Sequence, residues 1–214
     1  MCTRVRLKCT NMSIRVNKNE IPNMVLEAKR WWRSKIREAQ SELTDAYMTE
    51  ASEKIREAVM HTEEYRKAKT VMLYVNIGKE VITRSLMDVA NRAGKTVCLP
   101  LCYDTENHLM DARLWNAEHR LVKGAYGILE PSQDAPVIAP EDIDLIILPC
   151  MSCDDKGNRL GHGAGYYDRY LTHLRDDCTM MALCYEKILA TEIPTEPHDK
   201  PVDAVITEEN IYGK

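Results

Sequence analysis

The run Asp144–Pro149 (DLIILP) and the glycine-rich stretch behind it, residues 154–169 (DDKGNRLGHGAGYYDR), constrain the fold more than any other part of the chain. Consecutive aliphatic residues leave no polar face to show to water. A strand of this kind is buried on both faces, which is the situation of a parallel sheet covered by helices. TVMLYV (70–75), TVCLP (96–100), TMMALCY (179–185) and DAVIT (203–207) read as companion strands. LMDARLW (109–115) alternates and suits a sheet edge. A helix is predicted over 84–93, with Gly94 placed to end it.

The amino-terminal half supplies helices. Val25, Ala28, Trp32, Ile36, Ala39 and Leu43 recur at three- and four-residue spacing, the signature of an amphipathic helix. Thr44 or Asp45 caps a second helix with Met48, Ala51, Ile55 and Ala58 on its inner face. Residues 116–142 are loop-rich. The expected fold is α/β: three layers, α/β/α, around a mostly parallel, Rossmann-like sheet. A single domain is expected over 23–214, with 1–22 as a flexible extension that carries basic residues and no acid before Glu20.

Charge and cysteine content exclude several classes. Lys and Arg number 29 against 33 Asp and Glu, a net charge of −4, which is not the basic balance of a general nucleic-acid binder. No stretch approaches the roughly 20 apolar residues of a membrane span. No nucleic-acid or membrane partner is therefore expected. The eight cysteines sit mostly in apolar runs and read as buried, reduced thiols of a cytoplasmic protein. Cys98 with Cys102, and Cys150 with Cys153, have pair spacing but no compact finger-like segment, so a zinc site is the weaker reading.

The chemistry is expected at the glycine loop. Ligands bind beyond the carboxyl ends of parallel strands. Gly161, Gly163 and Gly165 permit positive φ and let backbone N–H groups approach an anion. A helix expected over 166–174 adds the positive end of its dipole. Arg159 offers a forked cation for phosphate, and Asp168 a carboxylate for magnesium. The spacing is neither a Walker loop nor a dinucleotide fingerprint. A tight structural turn is the alternative for the glycines alone.

R-L-G-x-G-x-G-Y-Y-D (Arg159–Asp168), preceded by D-x-x-G (Asp154–Gly157), resembles the 5-formyltetrahydrofolate cyclo-ligases, also called methenyltetrahydrofolate synthetases. The resemblance runs over 24–212. It takes in K-x-x-x-R (Lys29, Arg33), Y-x-N-x-x-x-E-x-x-T (Tyr74–Thr83), G-I-x-E-P (Gly127–Pro131), P-H-D (Pro197–Asp199) and the pair Val202–Asp203. It implies ATP as co-substrate, Mg2+ as metal and 5-formyltetrahydrofolate as substrate, with the chain acting as a monomer. Lys29, Arg33, Arg159 and Gly161, His162, Gly163, Ala164, Gly165, Tyr166, Tyr167 then match the nucleotide contacts. Val75, Glu80 and the segment Gly163–Tyr167 match the folate contacts. Arg159 and Tyr167 take the catalytic role, and Asp168 and Asp199 lie near the metal.

Four positions depart from the family pattern. Ala164 stands where many relatives carry Lys or Gly, which removes a phosphate contact. Cys150 and Cys153 replace Gly and Phe at the strand-to-loop corner. His162, at a variable position, is expected to add pH-dependent charge beside phosphate. Tyr103, Met110 and Trp115 are read either as an apolar pterin pocket or as core. Trp32 is read as core, and His198 as a loop histidine. The resemblance predicts ATP-dependent ring closure of 5-formyltetrahydrofolate. A diverged folate- or nucleotide-binding protein without turnover, and another ATP-dependent enzyme on the same scaffold, are the alternatives.

Overall fold

The computed structural model describes residues 3–5, 14–16, 21–118, 120–197 and 199–213. Most of the extension expected over 1–22, the thiols of Cys2 and Cys9, and His198 fall outside the described residues. In the described part, β1 (Thr3–Val5) pairs antiparallel with β2 (Ile14–Val16). Helix α1 then runs over Ile21–Ser41 and α2 over Asp45–His61. The Thr44 hydroxyl accepts from Tyr47 N–H at 3.2 Å, closing the first turn of α2 as its sequence predicts. Met48, Ala51, Ile55 and Val59 form the buried stripe of α2.

A one-turn helix, α3 (Glu63–Lys67), leads to β3 (Thr70–Met72). Then come α4 (Arg84–Arg92), β4 (Thr96–Asp104) and β5 (Leu109–Trp115). Gly94 follows α4 with φ +76° and ends it in the left-handed region. A small hairpin joins β6 (Val122–Lys123) to β7 (Leu129–Glu130), and β8 (Val137–Ile138) follows. Next are β9 (Leu145–Leu148), the hairpin β10 (Ser152–Cys153) with β11 (Arg159–Leu160), and α5 (Tyr166–Tyr170). The chain completes the sheet with β12 (Thr179–Leu183), β13 (Ala204–Ile206) and β14 (Ile211–Gly213).

Eight strands form one sheet in the order β14-β13-β12-β9-β3-β4-β5-β8. The five from β13 to β4 are parallel, and the flanking pairs are antiparallel. The α/β expectation is met. All four residues of β9 are 0 % exposed. Burying each of these side chains stabilises the fold by about 1.5–3 kcal/mol. Helix α2 packs on α3, α4 and β13, α4 packs on β4, and α5 packs on β5. Trp32 packs on a second cluster of Ile36, Met151, Leu160, Ala190 and Ile193.

Two expectations need correction. The strand 109–115 is not at the edge, because β8 pairs outside it through Ala112 and Arg113. The helix expected over 166–174 stops at Tyr170. Lys200 takes the Leu171 carbonyl at 3.2 Å, and Arg175 is drawn to Asp144 at 2.6 Å, so the chain turns away toward β12. Of its two readings, Trp115 takes the core one, at 1 % exposed. The buried-thiol reading holds for Cys98, Cys150, Cys153, Cys178 and Cys184, while Cys102 is half-buried.

One buried carboxylate shapes the corner after β9. Asp154 is 0 % exposed. Its oxygens accept from the N–H groups of Lys156 (3.1 Å), Asn158 (2.9 Å) and Ile193 (3.0 Å), and from the Asn158 side-chain amide (2.9 Å). Gly157 has φ +86°, and a Cβ there would meet the Val202 carbonyl at 2.5 Å. These bonds hold the D-x-x-G turn in place and so fix where Arg159 emerges. We expect Asp154→Ala to lower stability by about 2 kcal/mol or more in urea unfolding, since several buried N–H groups lose their acceptor together. A loss under about 0.5 kcal/mol would show that water replaces the carboxylate.

Candidate active site

The carboxyl ends of β3, β9 and β4 open into a cavity of about 380 Å³. Strand β3 delivers Tyr74, Val75, Ile77 and Glu80, β9 delivers Pro149, and β4 delivers Pro100 and Cys102. The loop from β11 into α5 forms the facing wall, and Lys29 and Arg33 reach in from α1. Every residue expected at the site lines this one cavity: Lys29, Arg33, Val75, Glu80, Arg159, Gly161 to Asp168 and Asp199. They come from four separate parts of the chain.

One end is cationic. Lys29 is 7 % exposed and pairs with Glu196 (2.9 Å) and Asp199 (2.6 Å). Arg33 donates from Nε to the Gly161 carbonyl at 2.9 Å. Burial, followed by the repulsion of Arg37 and Arg30, lowers its pKa from the ordinary arginine value. Gly163 has φ +103°, and a Cβ there would press on the Arg33 guanidinium at 3.2 Å. Arg159 donates to Asp168 at 2.7 Å, and its buried Nε has no hydrogen-bond partner among the described residues. A buried N–H of a cation left in this way is a ready donor for an incoming anion.

The short α5 alters the expected electrostatics. Five residues carry little helix dipole. The Arg169 guanidinium reaches back to the carbonyls of Ala164 (3.2 Å) and Gly165 (3.0 Å), and Gly165 itself is left-handed at φ +79°. The cations lining this end are Lys29, Arg33 and Arg159, and Ala164 adds none.

The other end is apolar around one buried acid. Glu80 is 4 % exposed; it accepts from Ile77 N–H at 2.9 Å and lies 3.0 Å from His162 Nε2. The structure thus sets His162 against Glu80, where the sequence suggested a place beside phosphate. Burial, reinforced by Glu80, raises the pKa of Tyr167 against the opposing pull of Arg159. Burial first, then Glu80, does the same for Tyr74. Both phenols stay protonated at neutral pH, and both line the cavity.

Sequence reading missed part of this wall. Glu130 is 5 % exposed and accepts from Cys102 N–H (3.3 Å) and Ala125 N–H (3.4 Å). Its signal was the G-I-x-E-P motif, whose acid had been given no role. Tyr126, with φ +57°, places its hydroxyl 3.2 Å from that of Tyr166. Met110 lines the cavity as one of its two readings had it, whereas Tyr103 lies outside it, 53 % exposed. Burial, then Glu130, pushes the Cys102 thiol up to about 12.

The acids fit magnesium in one particular way. Asp168 and Asp199 both line the cavity, each beside a cation. Among the described residues no three His, Cys, Asp or Glu side chains gather as a metal-holding group, which also removes the zinc reading of the cysteines there. Magnesium commonly takes one or two carboxylates and completes its octahedron with substrate phosphates and water. Two acids beside three phosphate-suited cations match that partial shell.

Comparison with known proteins follows this geometry. The profile of the 5-formyltetrahydrofolate cyclo-ligase family matches residues 25–208. The probable 5-formyltetrahydrofolate cyclo-ligase of Schizosaccharomyces pombe is 34% identical over 184 residues, covering 79% of this chain and 89% of that protein. The mouse 5-formyltetrahydrofolate cyclo-ligase is 29% identical over 175 residues, covering 75% and 86%. The solved structure of the Aquifex aeolicus 5,10-methenyltetrahydrofolate synthetase superposes with a TM-score of 0.77 at 29% identity, covering 86% of this chain and 92% of that one. On the cavity, the order of its motifs and these matches, the chain belongs to the 5-formyltetrahydrofolate cyclo-ligase family.

Proposed function

We propose that this protein converts 5-formyltetrahydrofolate to 5,10-methenyltetrahydrofolate with ATP, releasing ADP and phosphate. The observation that carries the reading is the division of one cavity into a cationic end and an apolar end with a buried acid, with the glycine loop between them. A triphosphate suits the first, a flat apolar ring with N–H donors suits the second, and the reacting groups then meet at the loop.

The chemistry asks for alignment and charge neutralisation. The N5-formyl oxygen is a weak nucleophile. It attacks the γ-phosphorus, the bond from that phosphorus to the bridging oxygen breaks, and ADP leaves. The formyl carbon is then activated. N10 adds to it and loses its proton, the carbon–oxygen bond breaks, and phosphate departs as the ring closes. No protein nucleophile is needed. Arg159 holds charge developing on the transferred group, with its unpartnered Nε free to do so. Lys29 and Arg33 take the other phosphates. Glu80 and Val75 fix the pterin, and Tyr166 and Tyr167 wall the ring against the loop. Asp168 and Asp199 would hold magnesium, which supplies further neutralisation of phosphate charge when bound.

The thiols described are all unpaired, which suits a reducing compartment, and we place the protein in the cytoplasm as a monomer. No described helix is long and apolar enough to cross a membrane.

Near-ultraviolet absorbance tests the activity, because methenyltetrahydrofolate absorbs there and the substrate does not. A rise requiring ATP and magnesium is expected, with kcat/KM for Arg159→Ala reduced by at least about 100-fold. A flat trace from folded wild-type protein that binds nucleotide would point to another substrate. A second experiment concerns the metal. Asp199→Ala is expected to raise the magnesium concentration needed for half-maximal rate by roughly tenfold, at about 1.4 kcal/mol of lost binding. An unchanged magnesium titration would remove Asp199 from that role.

A further inference from the structure

The contact between His162 and Glu80 joins the glycine loop to the acid at the apolar end, across 82 residues of sequence. Glu80 has little freedom. Its backbone N–H donates to the Ile77 carbonyl at 3.1 Å, its carbonyl accepts from the Tyr185 hydroxyl at 3.2 Å, and Oε2 is taken by Ile77 N–H. Oε1 is the oxygen that faces His162. The imidazole is different: its side chain is 48 % exposed and sits between two glycines on a loop. Of the two partners, the exposed imidazole and not the anchored acid is the one free to give way to a ligand N–H at Glu80 Oε1.

We infer that His162 is a positioning residue that holds Glu80 Oε1, and that folate binding displaces it. The inference rests on the reading of Glu80 as a folate contact. The imidazole holds that oxygen through one hydrogen bond, so removing the ring frees Oε1 for a ligand donor, and a side-chain amide in its place keeps the contact.

The loop meets α1 through Arg33 at Gly161 and Gly163, so displacement of His162 also moves the wall on which the phosphates rest.

Calorimetric titration of the full chain with 5-formyltetrahydrofolate, without ATP, tests this directly. His162→Ala is expected to bind folate about fivefold more tightly than wild type, because Glu80 Oε1 is no longer engaged, and His162→Gln, which keeps a side-chain N–H donor, should return to the wild-type affinity. An affinity of His162→Ala equal to or weaker than that of wild type would overturn the inference. Glu80→Gln separates the two ideas: folate affinity equal to wild type would sink the reading of Glu80, whereas weakened affinity with unaltered His162 behaviour would sink this proposal alone. Cooperative thermal unfolding of each variant checks that it folds.

Discussion

The parallel pairing of the wholly buried strand β9 with β12 on one side and β3 on the other is the constraint on which the site depends. Parallel strands end on the same side, so Tyr74 to Glu80, Pro149 and the turn held by Asp154 come out together. The antiparallel flanks add to this. Strand β4 runs on past its ladder with β3, so Pro100 lacks an N–H where no parallel partner asks for one. That extension brings Cys102 to the cavity and gives β5 a partner that carries Met110.

Charge within the site is arranged before any ligand arrives. Arg159 is paired with Asp168, and Lys29 with Glu196 and Asp199. Cations held this way are already oriented. The phenols of Tyr74 and Tyr167 stay neutral, and two buried acids, Glu80 and on the far wall Glu130, serve as acceptors at the apolar end.

Much of this was legible in the residues. Continuous apolar runs marked the buried strands, Thr44 marked the start of α2, and Gly94 marked the end of α4, each through a local physical cause. The site residues were placed by resemblance to a family, since nothing local tells that Lys29 meets Asp199. The misses have a common source in tertiary forces. Residues 171–174 look helical until Lys200 and Asp144 draw the chain away. The strands at 122–123 and 129–130 are too short to show a period, which hid the hairpin that carries Glu130. Trp115 and Met110 lie on one strand with the same apolar character, and only packing decides that both join the core while Met110 alone also edges the cavity.

The bond from Lys29 to Asp199 closes a loop of 170 residues. During synthesis the glycine loop and the cations of α1 leave the ribosome well before the acids that anchor Lys29. In a chain that reaches only β12, Lys29 therefore lacks both of its anchoring acids, while Arg33 and Arg159 already have their partners at Gly161 and Asp168. The contacts of Lys29 thus tie the two ends of the domain together.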